Sequence, residues 1–305
     1  MTNKKIKVII NPKADFGHAW QGTAELRQVA KDYGDVEWVS TEFPKQAVDL
    51  AREAGEQGYE LVVAVGGDGT AHEVVNGIMQ LPANQRPQLG IVPMGSGNDF
   101  AFALNIATHP TDAFRQVLTG TAKKTDIGKL EIQDGQYEYF TNAVGIGFDA
   151  IVTNYFKDVK HLRGVAAYLV AIIKTIILHH EARHMQVETD EEQWVEDTIM
   201  LVVCNGSREG GGFLVAPQSE PDDGVFHYAR VCYVSRKMMF RLIPEVMNGT
   251  HERFEQVTLG EFRRMNLVSD KPLHIHTDGE IYAGFDSTIT TIAVEILPGE
   301  IEVVT

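Results

Sequence analysis

Residues 61–70, with the sequence LVVAVGGDGT, decide the fold of this chain. Apolar residues followed at once by glycines predict a buried strand that ends in a tight loop. The glycines let the backbone approach a bulky group, and the N-terminus of the helix that follows presents free N–H groups to an anion. An aspartate in such a loop is explained if Mg²⁺ lies between Asp68 and bound phosphates. A simple strand–helix turn is the alternative, although a single glycine would serve for that.

The same pattern recurs on both sides of this stretch. Residues 89–92 form an apolar run that leads into PMGSGNDFA at residues 93–101, and residues 7–10 lead into Asn11. Because the carboxyl ends of parallel strands share one edge of a sheet, we expect these loops to form a nucleotide cradle together. The alternative for the second loop is that Asn98 or Asp99 only caps the helix that follows.

The sequence divides into two regions of different character. Residues 1–125 alternate short apolar strands with helices, which indicates a parallel α/β sheet. Its strands are predicted at residues 7–10, 36–39, 61–65 and 89–92. From residue 126 onward strand-like segments dominate, the last two at 287–297 and 300–304. They predict a mostly antiparallel β domain, with helical stretches at about 150–179 and 236–247. We therefore predict domains at 1–125 and 126–305, and leave open that the C-terminal end returns to the first domain.

Composition excludes several classes of function. The 305 residues include 27 Lys and Arg against 42 Asp and Glu, a net charge of −15, which argues against nucleic acid as a partner. Residues 1–125 carry 12 basic and 14 acidic side chains, so the first region is close to neutral. Two cysteines are too few for a disulfide framework and favour a reduced, cytoplasmic compartment. The N-terminus lacks a signal-peptide pattern, and the apolar run at residues 165–178 is shorter than the ~20 residues that span a bilayer.

Further motifs carry a resemblance to a known family. Asn11-Pro12, the GGDGT loop, the PMGSGNDFA loop, GGGF at residues 210–213 and Asp278-Gly279-Glu280 occur in this order across the whole chain. The sequence resembles the diacylglycerol kinase catalytic family, in particular the soluble bacterial lipid kinases. The resemblance implies a Rossmann-like α/β nucleotide domain, similar to those of NAD kinases and phosphofructokinases, and a C-terminal β-sandwich. Asp15 departs from the family, which usually has glycine there.

The resemblance also implies site residues. The ATP-binding set would be Asn11, Thr41, Gly66, Gly67, Asp68, Gly69, Thr70, Ala71, His72, Ser96 and Asn98. The acidic network around a catalytic Mg²⁺ would be Asp68, Asp99 and Asp126. Asp278 would be the general base that takes the proton of the lipid hydroxyl, with Glu280 beside it. A structural Mg²⁺ would be held by Glu220, Asp223 and the backbone carbonyl of Val225.

The strand before Asp278 supports other interpretations. Its alternation predicts that His274, His276 and Asp278 share one face, and Asp278 could simply cap a turn. A His-x-His pair is also a plausible metal site, which would make the protein a metal-dependent hydrolase. Further ligands for that site would come from His179, His180 and His184.

These observations favour an ATP- and Mg²⁺-dependent lipid kinase, with diacylglycerol as the expected acceptor and phosphatidic acid as the product. The alternatives are phosphatidylglycerol or a sphingoid base as acceptor, an NAD kinase, the hydrolase, and a catalytically silent lipid-binding protein. We expect a cytoplasmic homodimer that meets its lipid substrate at a membrane surface. The basic residues considered for membrane contact are Lys13, Lys157, Lys160, Arg163 and Lys174, although such residues often form only a solvated face.

Overall fold

A computed structural model describes residues 4–14, 19–31, 33, 36–159, 162 and 164–305. The chain forms two compact units, Met1–Ile127 with Gly299–Thr305, and Gly128–Pro298. The boundary lies two residues beyond the position expected from the sequence, and the C-terminal segment belongs to the first unit. Asp15, Lys160 and Arg163 lie outside the described residues.

The first unit contains a parallel sheet with helices between its strands. The strands are β1 (Ile6–Ile10), β2 (Val36–Ser40), β3 (Leu61–Gly66) and β4 (Gln88–Pro93), in the order β4-β3-β1-β2. The helices are α1 (Ala19–Ala30), α2 (Gln46–Glu56), α3 (Asp68–Ile78), α4 (Asp99–Ala103) and α5 (Pro110–Thr119). Every residue of β1 and β3 is buried, as a sheet covered on both faces requires. The predicted α/β sheet is therefore confirmed.

The second unit is built from antiparallel strand pairs. Its strands are β5 (Ala122–Ile132), which begins in the first unit, β6 (Tyr137–Phe140), β7 (Ala143–Gly147), β8 (Arg183–Thr189), β9 (Gln193–Cys204), β10 (Phe226–Cys232), β11 (Val257–Phe262), β12 (Arg264–Ser269), β13 (Ile275–Thr277), β14 (Glu280–Ala283) and β15 (Thr291–Val304). The helices are α6 (Phe148–Phe156), α7 (Gly164–Leu178) and α8 (Arg236–Met247). The main path of pairing runs β14-β13-β7-β9-β8-β12-β15, and β10 joins β9 to β11.

Strand β9 lies between two apolar cores. Leu201 and Val203 pack among the neighbouring strands, whereas Val202 and Cys204 face a core shared with the helices α6, α7 and α8. This division follows from the alternation of side chains along a strand. Both faces of the central strands are therefore buried.

Two predicted elements differ from the structure. The helical stretch predicted at 150–179 is two helices, since α6 ends at Phe156 and α7 begins at Gly164. Gly164 has a φ of 54°, which a continuing helix does not adopt. The strands predicted at 287–297 and 300–304 are one strand, β15, which passes through Gly299. The Gly299 N–H donates to the Asp126 carboxylate at 2.6 Å, so a side chain satisfies this amide where the sequence suggested a break.

Helix α7 is the most apolar helix of the second unit and has 15 residues. In the part of the chain that the structure describes, no helix combines the length and apolarity needed to cross a bilayer.

Candidate functional site

The two predicted phosphate loops of the first unit meet at a pair of glycines. A Cβ atom on Gly95 would lie 2.4 Å from the Gly67 Cα. The two loops can therefore come this close only because Gly95 has no side chain. Helix α3 begins at Asp68, with Gly69 and Thr70 in its first turn. The free N–H groups of this helix therefore start at the point where the two loops touch.

The third predicted loop joins the same group. The Asn11 side chain donates to the Thr70 hydroxyl at 3.2 Å, and the Asn11 N–H donates to the Val65 carbonyl at 3.0 Å. The Thr41 N–H donates to the Ile10 carbonyl at 2.8 Å, which places Thr41 at the same end of β1. The ends of three neighbouring strands thus come together, as expected for parallel strands.

Two carboxylates converge beside Gly97. A Cβ atom on this glycine would lie 2.9 Å from Asp68 Oδ2 and 3.0 Å from Asp99 Oδ2. Asp68 Oδ1 accepts a hydrogen bond from the Phe100 N–H at 3.2 Å, which ties the first loop to α4. Carboxylate oxygens are the ligands that Mg²⁺ prefers, so the donor set fits such an ion.

Other predicted residues of this site have local roles. The Asn98 side chain accepts from the Gly95 N–H at 2.9 Å and donates to the Gly95 carbonyl at 2.8 Å. Asn98 makes no capping bond to α4, so the capping interpretation is wrong for this residue. Ala71 and His72 are buried in α3, whereas Ser96 is exposed.

Asp126 lies in the first unit, in strand β5. It is buried, and its Oδ1 accepts the bond from the Gly299 N–H described above. The structure therefore gives Asp126 a role in holding the returning C-terminal segment. Its membership of a metal network stays a prediction.

In the second unit, the Asp278 carboxylate is held by four donors. Oδ2 accepts from the Thr141 N–H and hydroxyl at 2.8 and 3.0 Å, and Oδ1 accepts from the N–H groups of Asn142 and Ala143 at 2.7 and 3.1 Å. Strand β13 ends at Thr277, and Asp278 has a φ of 50°. The prediction that Asp278 continues the alternation of the strand is therefore wrong, because a left-handed residue leaves the pleat.

Glu280 is exposed two residues further on. Its Oε2 lies 2.8 Å from Lys157 Nζ, and about half of each side chain is accessible to solvent. The structure thus gives Glu280 a surface ion pair, and its catalytic role stays a prediction.

The predicted structural cation site is an acidic turn. Asp223 Oδ1 accepts from the Val225 N–H at 3.0 Å, and Asp223 Oδ2 lies 3.4 Å from His227 Nε2. Glu220 is exposed on the same turn. The contact with His227 offers the Asp223 carboxylate a partner other than a cation, so the Mg²⁺ assignment stays a prediction here too.

A buried cluster in the second unit was not predicted as a site. His276 Nε2 lies 2.6 Å from Asp149 Oδ2 and 3.1 Å from Glu209 Oε1, and the Tyr168 hydroxyl donates to Asp149 Oδ1 at 3.1 Å. Burial alone would lower the pKa of His276, but the charges of Glu209 and Asp149 raise this pKa to about 10. Burial opposes ionisation of Asp149, but the contact with His276 holds the pKa of Asp149 below its usual value.

Both ring nitrogens of His276 have neighbours within this cluster. The Gly279 N–H lies 3.2 Å from Nδ1, and Nε2 lies between the carboxylates of Asp149 and Glu209. These three side chains are the one group of three potential metal ligands among the described residues. They contact one another directly, and the positive ring that the raised pKa of His276 implies lies between the two carboxylates.

The histidines of the hydrolase interpretation are only partly brought together. His179 and His274 both contact Phe285, with ring centres 5.3 Å apart in each pair. His180 contacts the Val234 carbonyl, and His184 contacts the Asp197 carboxylate. Among the described residues, the one group of three potential metal ligands contains His276 and none of these four, so the predicted set of histidines does not form a metal site.

An apolar cavity of about 80 Å³ lies beside this cluster in the second unit. Its walls include the inner faces of α7, through Tyr168, Ile172 and Ile176, and of α8, through Met239, Leu242 and Val246. Asp149 and Glu209 are the carboxylates in the lining, and the other lining side chains are apolar apart from the Tyr168 hydroxyl. This volume is below the roughly 300–1,000 Å³ of small-molecule pockets.

The sequence contains some of the features that mark this cluster, but not the contact between them. Asp149 follows a glycine-rich strand end, and Glu209 precedes the glycines of the GGGF segment. His276 was considered as a metal ligand. The pattern did not show that these segments meet, because Asp149 and His276 are 127 residues apart in the chain.

The described basic residues considered for membrane contact have different surroundings. Lys174 Nζ lies 3.7 Å from the centre of the Tyr155 ring, and Lys157 pairs with Glu280. Lys13 is exposed. Both residues of the helical region thus have partners within the protein, and a membrane role for any of them stays a prediction.

Comparison with known families gives two matches. Residues 5–130 match the diacylglycerol kinase catalytic domain, and residues 142–305 match the YegS C-terminal NAD kinase beta sandwich-like domain. These matches confirm the predicted fold class of both regions, a parallel α/β domain followed by a β-sandwich-like domain.

Individual relatives agree with these matches. A Chromohalobacter salexigens protein named probable lipid kinase YegS-like is 35% identical over 240 residues, which are 76% of this chain and 73% of that protein. The diacylglycerol kinase of Bacillus subtilis is 28% identical over 302 residues, which are 97% of this chain and 92% of that protein. A crystal structure described as a diacylglycerol kinase of Bacillus anthracis has a TM-score of 0.73 at 20% identity, over 99% of this chain and 96% of that chain, and so shares the fold.

Proposed function

Since the chain belongs to the diacylglycerol kinase catalytic family of lipid kinases, we propose that it transfers the γ-phosphate of ATP to the hydroxyl group of a lipid, with Mg²⁺ as cofactor. Diacylglycerol is the first acceptor to test, because a relative covering almost the whole chain is named for it. A phospholipid or sphingoid alcohol would use the same chemistry.

The observation that carries this proposal is the contact of two glycine loops at Gly67 and Gly95, within a stretch that matches the diacylglycerol kinase catalytic domain. The apolar lining of the small cavity in the second unit favours a lipid over a dinucleotide acceptor. A dinucleotide such as NAD would present charged phosphates and sugar hydroxyls, which an apolar lining cannot solvate.

The loops of the first unit supply what phosphoryl transfer needs. Such a reaction depends on positioning and charge neutralisation more than on covalent chemistry from the protein. The N–H groups at the start of α3 would bind phosphate oxygens, and Asp68 and Asp99 would hold the ion. Bound Mg²⁺ would neutralise the negative charge that the phosphate oxygens carry.

We propose Asp278 as the general base, with a condition that its surroundings impose. A carboxylate offers about four lone-pair sites, and four donors already face those of Asp278. One donor must move before the carboxylate can accept a proton from a substrate hydroxyl. The Thr141 hydroxyl is the donor that can do so, because it rotates about a single bond, whereas the backbone N–H groups are fixed by the chain.

A single assay tests the proposed function. The purified protein is incubated with γ-labelled ATP and Mg²⁺, and with diacylglycerol, phosphatidylglycerol, a sphingoid base or NAD as separate acceptors. The product of each reaction is then identified by mass. Label on a lipid that disappears when Mg²⁺ is chelated would support the proposal, whereas label on NAD alone, or on no acceptor, would refute it.

A further inference from the structure

Helix α7 has an apolar outer face, although this face lies at the surface of the second unit. Its exposed residues are Ala166, Val170, Ile173, Ile177 and Leu178. The last four are large, and between 41% and 58% of each is exposed. The first four follow one another at intervals of four, three and four residues, which is the spacing of a single helix face. A helix at a surface that faces water normally carries polar residues on such a face.

Helix α8 lies beside α7 and exposes basic and aromatic side chains. The guanidinium group of Arg236, at the start of α8, donates to the Ile176 carbonyl of α7 at 3.0 Å. The inner faces of both helices line the same cavity, so their outer faces are neighbours on the surface. The exposed residues of α8 include Lys237, Phe240 and Arg241. The aliphatic face of α7 is therefore bordered by basic side chains.

The charge of these two segments is opposite to that of the whole chain. Residues 164–178 and 236–244 contain no acidic residue, whereas the chain has a net charge of −15. Their basic residues are Lys174, Arg236, Lys237 and Arg241. The carboxylates that follow them in sequence are Glu181, which is exposed, and Glu245, which pairs with Arg253. The two helices thus form a local positive region on a negative protein.

We propose that the outer surface of α7 and α8 docks on an anionic lipid bilayer. That the protein must reach a bilayer rests on the proposed transfer to a lipid. Helix α7 has 15 residues, fewer than the ~20 that span a bilayer, so it lies along the membrane with its aliphatic side chains in the interface. The basic residues contact the headgroups. Because salt screens charges beyond a Debye length of about 10 Å, this local region attracts anionic lipid despite the net charge of the protein.

The area and charge of this surface favour a bilayer over a second copy of the chain. A fully buried aromatic side chain contributes roughly 150–250 Å² and an aliphatic one less, so four half-exposed residues supply at most about 500 Å². Each partner in a standard protein interface buries roughly 800 Å². In a symmetric dimer the same patch meets itself, so its positive charges would face one another. Anionic headgroups instead complement them.

Binding to vesicles in the absence of ATP tests the aliphatic face. Co-sedimentation is measured with vesicles of phosphatidylcholine alone or with about one-third phosphatidylglycerol. Ile173→Ser combined with Ile177→Ser is expected to weaken binding to the anionic vesicles at least about tenfold, because two side chains no longer leave water for the interface. The matched control, Val195→Ser combined with Val268→Ser, replaces two exposed valines of β9 and β12 and should stay within about twofold of the parent protein.

A second pair of variants tests the basic residues. Lys237→Gln combined with Arg241→Gln is expected to weaken binding to the anionic vesicles at least about tenfold, since each basic residue near such a surface contributes roughly fivefold. Binding to the neutral vesicles should change less than about twofold. The control, Arg263→Gln combined with Lys271→Gln, removes the same net charge at exposed positions elsewhere in the second unit and should affect neither vesicle.

Three results would overturn this inference. They are no binding of the parent protein to anionic vesicles, unchanged binding in the α7 or the α8 variants, and an equal loss in either control. Light scattering gives the mass of each protein in solution. If the α7 variant dissociated into monomers and still bound vesicles, the surface would be an interface between copies and not a membrane surface.

A soluble substrate separates this inference from the proposed function. On a short-chain diacylglycerol dissolved as monomers, the α7 variant should transfer phosphate at the rate of the parent protein. On diacylglycerol held in anionic vesicles, its rate should fall with its binding, and an unchanged rate there would contradict docking through this surface. If no lipid is phosphorylated, the proposed function fails, whereas vesicle binding that is lost in the α7 and α8 variants alone still supports the docking surface.

Discussion

Replacing Asp278 by asparagine tests how the proposed base is held. Asparagine keeps the shape of the side chain and tolerates the φ of 50° at this position. It turns one oxygen into an NH₂ donor, however, and each oxygen of Asp278 accepts from two donors, on Thr141 or on Asn142 and Ala143. The new donor therefore faces two other donors, whichever way the amide is oriented.

The expected loss of unfolding free energy is calculated for the amide orientation that costs less. The NH₂ group points toward Thr141, because that hydroxyl can rotate and accept, but the Thr141 N–H is then buried without an acceptor. Such a group costs about 1–3 kcal/mol. The bonds from Asn142 and Ala143 also weaken, since bonds to a charged acceptor contribute about 1.5–3 kcal/mol and bonds to a neutral one about 1 kcal/mol. We expect a total loss of about 2–5 kcal/mol in the unfolding free energy of the second unit.

Differential scanning calorimetry measures this loss. A domain of this size loses roughly 2–4 °C of Tm per kcal/mol, so a decrease of at least about 4 °C is expected. Glu280→Gln makes the same chemical change on the same turn, where the carboxylate is exposed and paired with Lys157, and should cost less than about 1 kcal/mol. If Asp278→Asn melted within about 1 °C of the parent protein, the reasoning about its four donors would be refuted. Any loss of kinase activity in this variant must be measured below its Tm.

Other perturbations test the buried cluster and the phosphate loops. The pKa of His276 is raised from about 6.5 in the unfolded chain to about 10, so the cluster stabilises the fold fully below pH 6.5 and loses this contribution as the pH rises toward 10, by up to about 1.4 kcal/mol per pH unit. Urea unfolding should give a lower free energy of unfolding at pH 9 than at pH 6 in the parent protein and in the control His184→Asn. In His276→Asn the difference between the two pH values should be smaller. An equal difference in all three proteins would contradict this assignment. Gly145→Ala should destabilise the protein by about 3–5 kcal/mol in the same assay, because its Cβ separates a buried charge pair, and a change below about 1 kcal/mol would argue against that contact. Gly95→Ala should push the two loops apart and weaken ATP binding by calorimetric titration, and unchanged affinity would count against the proposed cradle. Asp68→Ala should lose Mg²⁺-dependent transfer, and an unaltered Mg²⁺ titration would remove Asp68 from the ion site.

The meeting of the two glycine loops could be predicted because its signals are local. A strand, its glycines and the helix that follows are adjacent in sequence, and parallel pairing alone brings several such ends to one edge. The contact between Gly67 and Gly95 and the approach of Asp68 to Asp99 follow from that arrangement. The sequence therefore sufficed for the α/β fold and for most of the residues placed at this edge.

The surroundings of Asp278 and His276 could not be predicted in the same way. The partners of Asp278 lie more than 130 residues earlier in the chain, and the positive φ at this residue breaks the alternation that had been assumed. The alternation predicted only that His276 shares a face with His274, and nothing local shows that two carboxylates lie beside it. Such contacts depend on which strands pair, and a single sequence does not specify that.

The return of residues Gly299–Thr305 to the first unit has a consequence for synthesis. Val303 pairs with Leu89 of β4, and both Val303 and Val304 are buried there. A ribosome makes this segment only after the entire second unit. Although domains generally fold in order from the N-terminus, the first unit cannot complete its own sheet until the unit inserted into it has been made. The unit that begins first is thus the one that finishes last, and a nascent chain stalled before residue 299 would carry an open edge on β4.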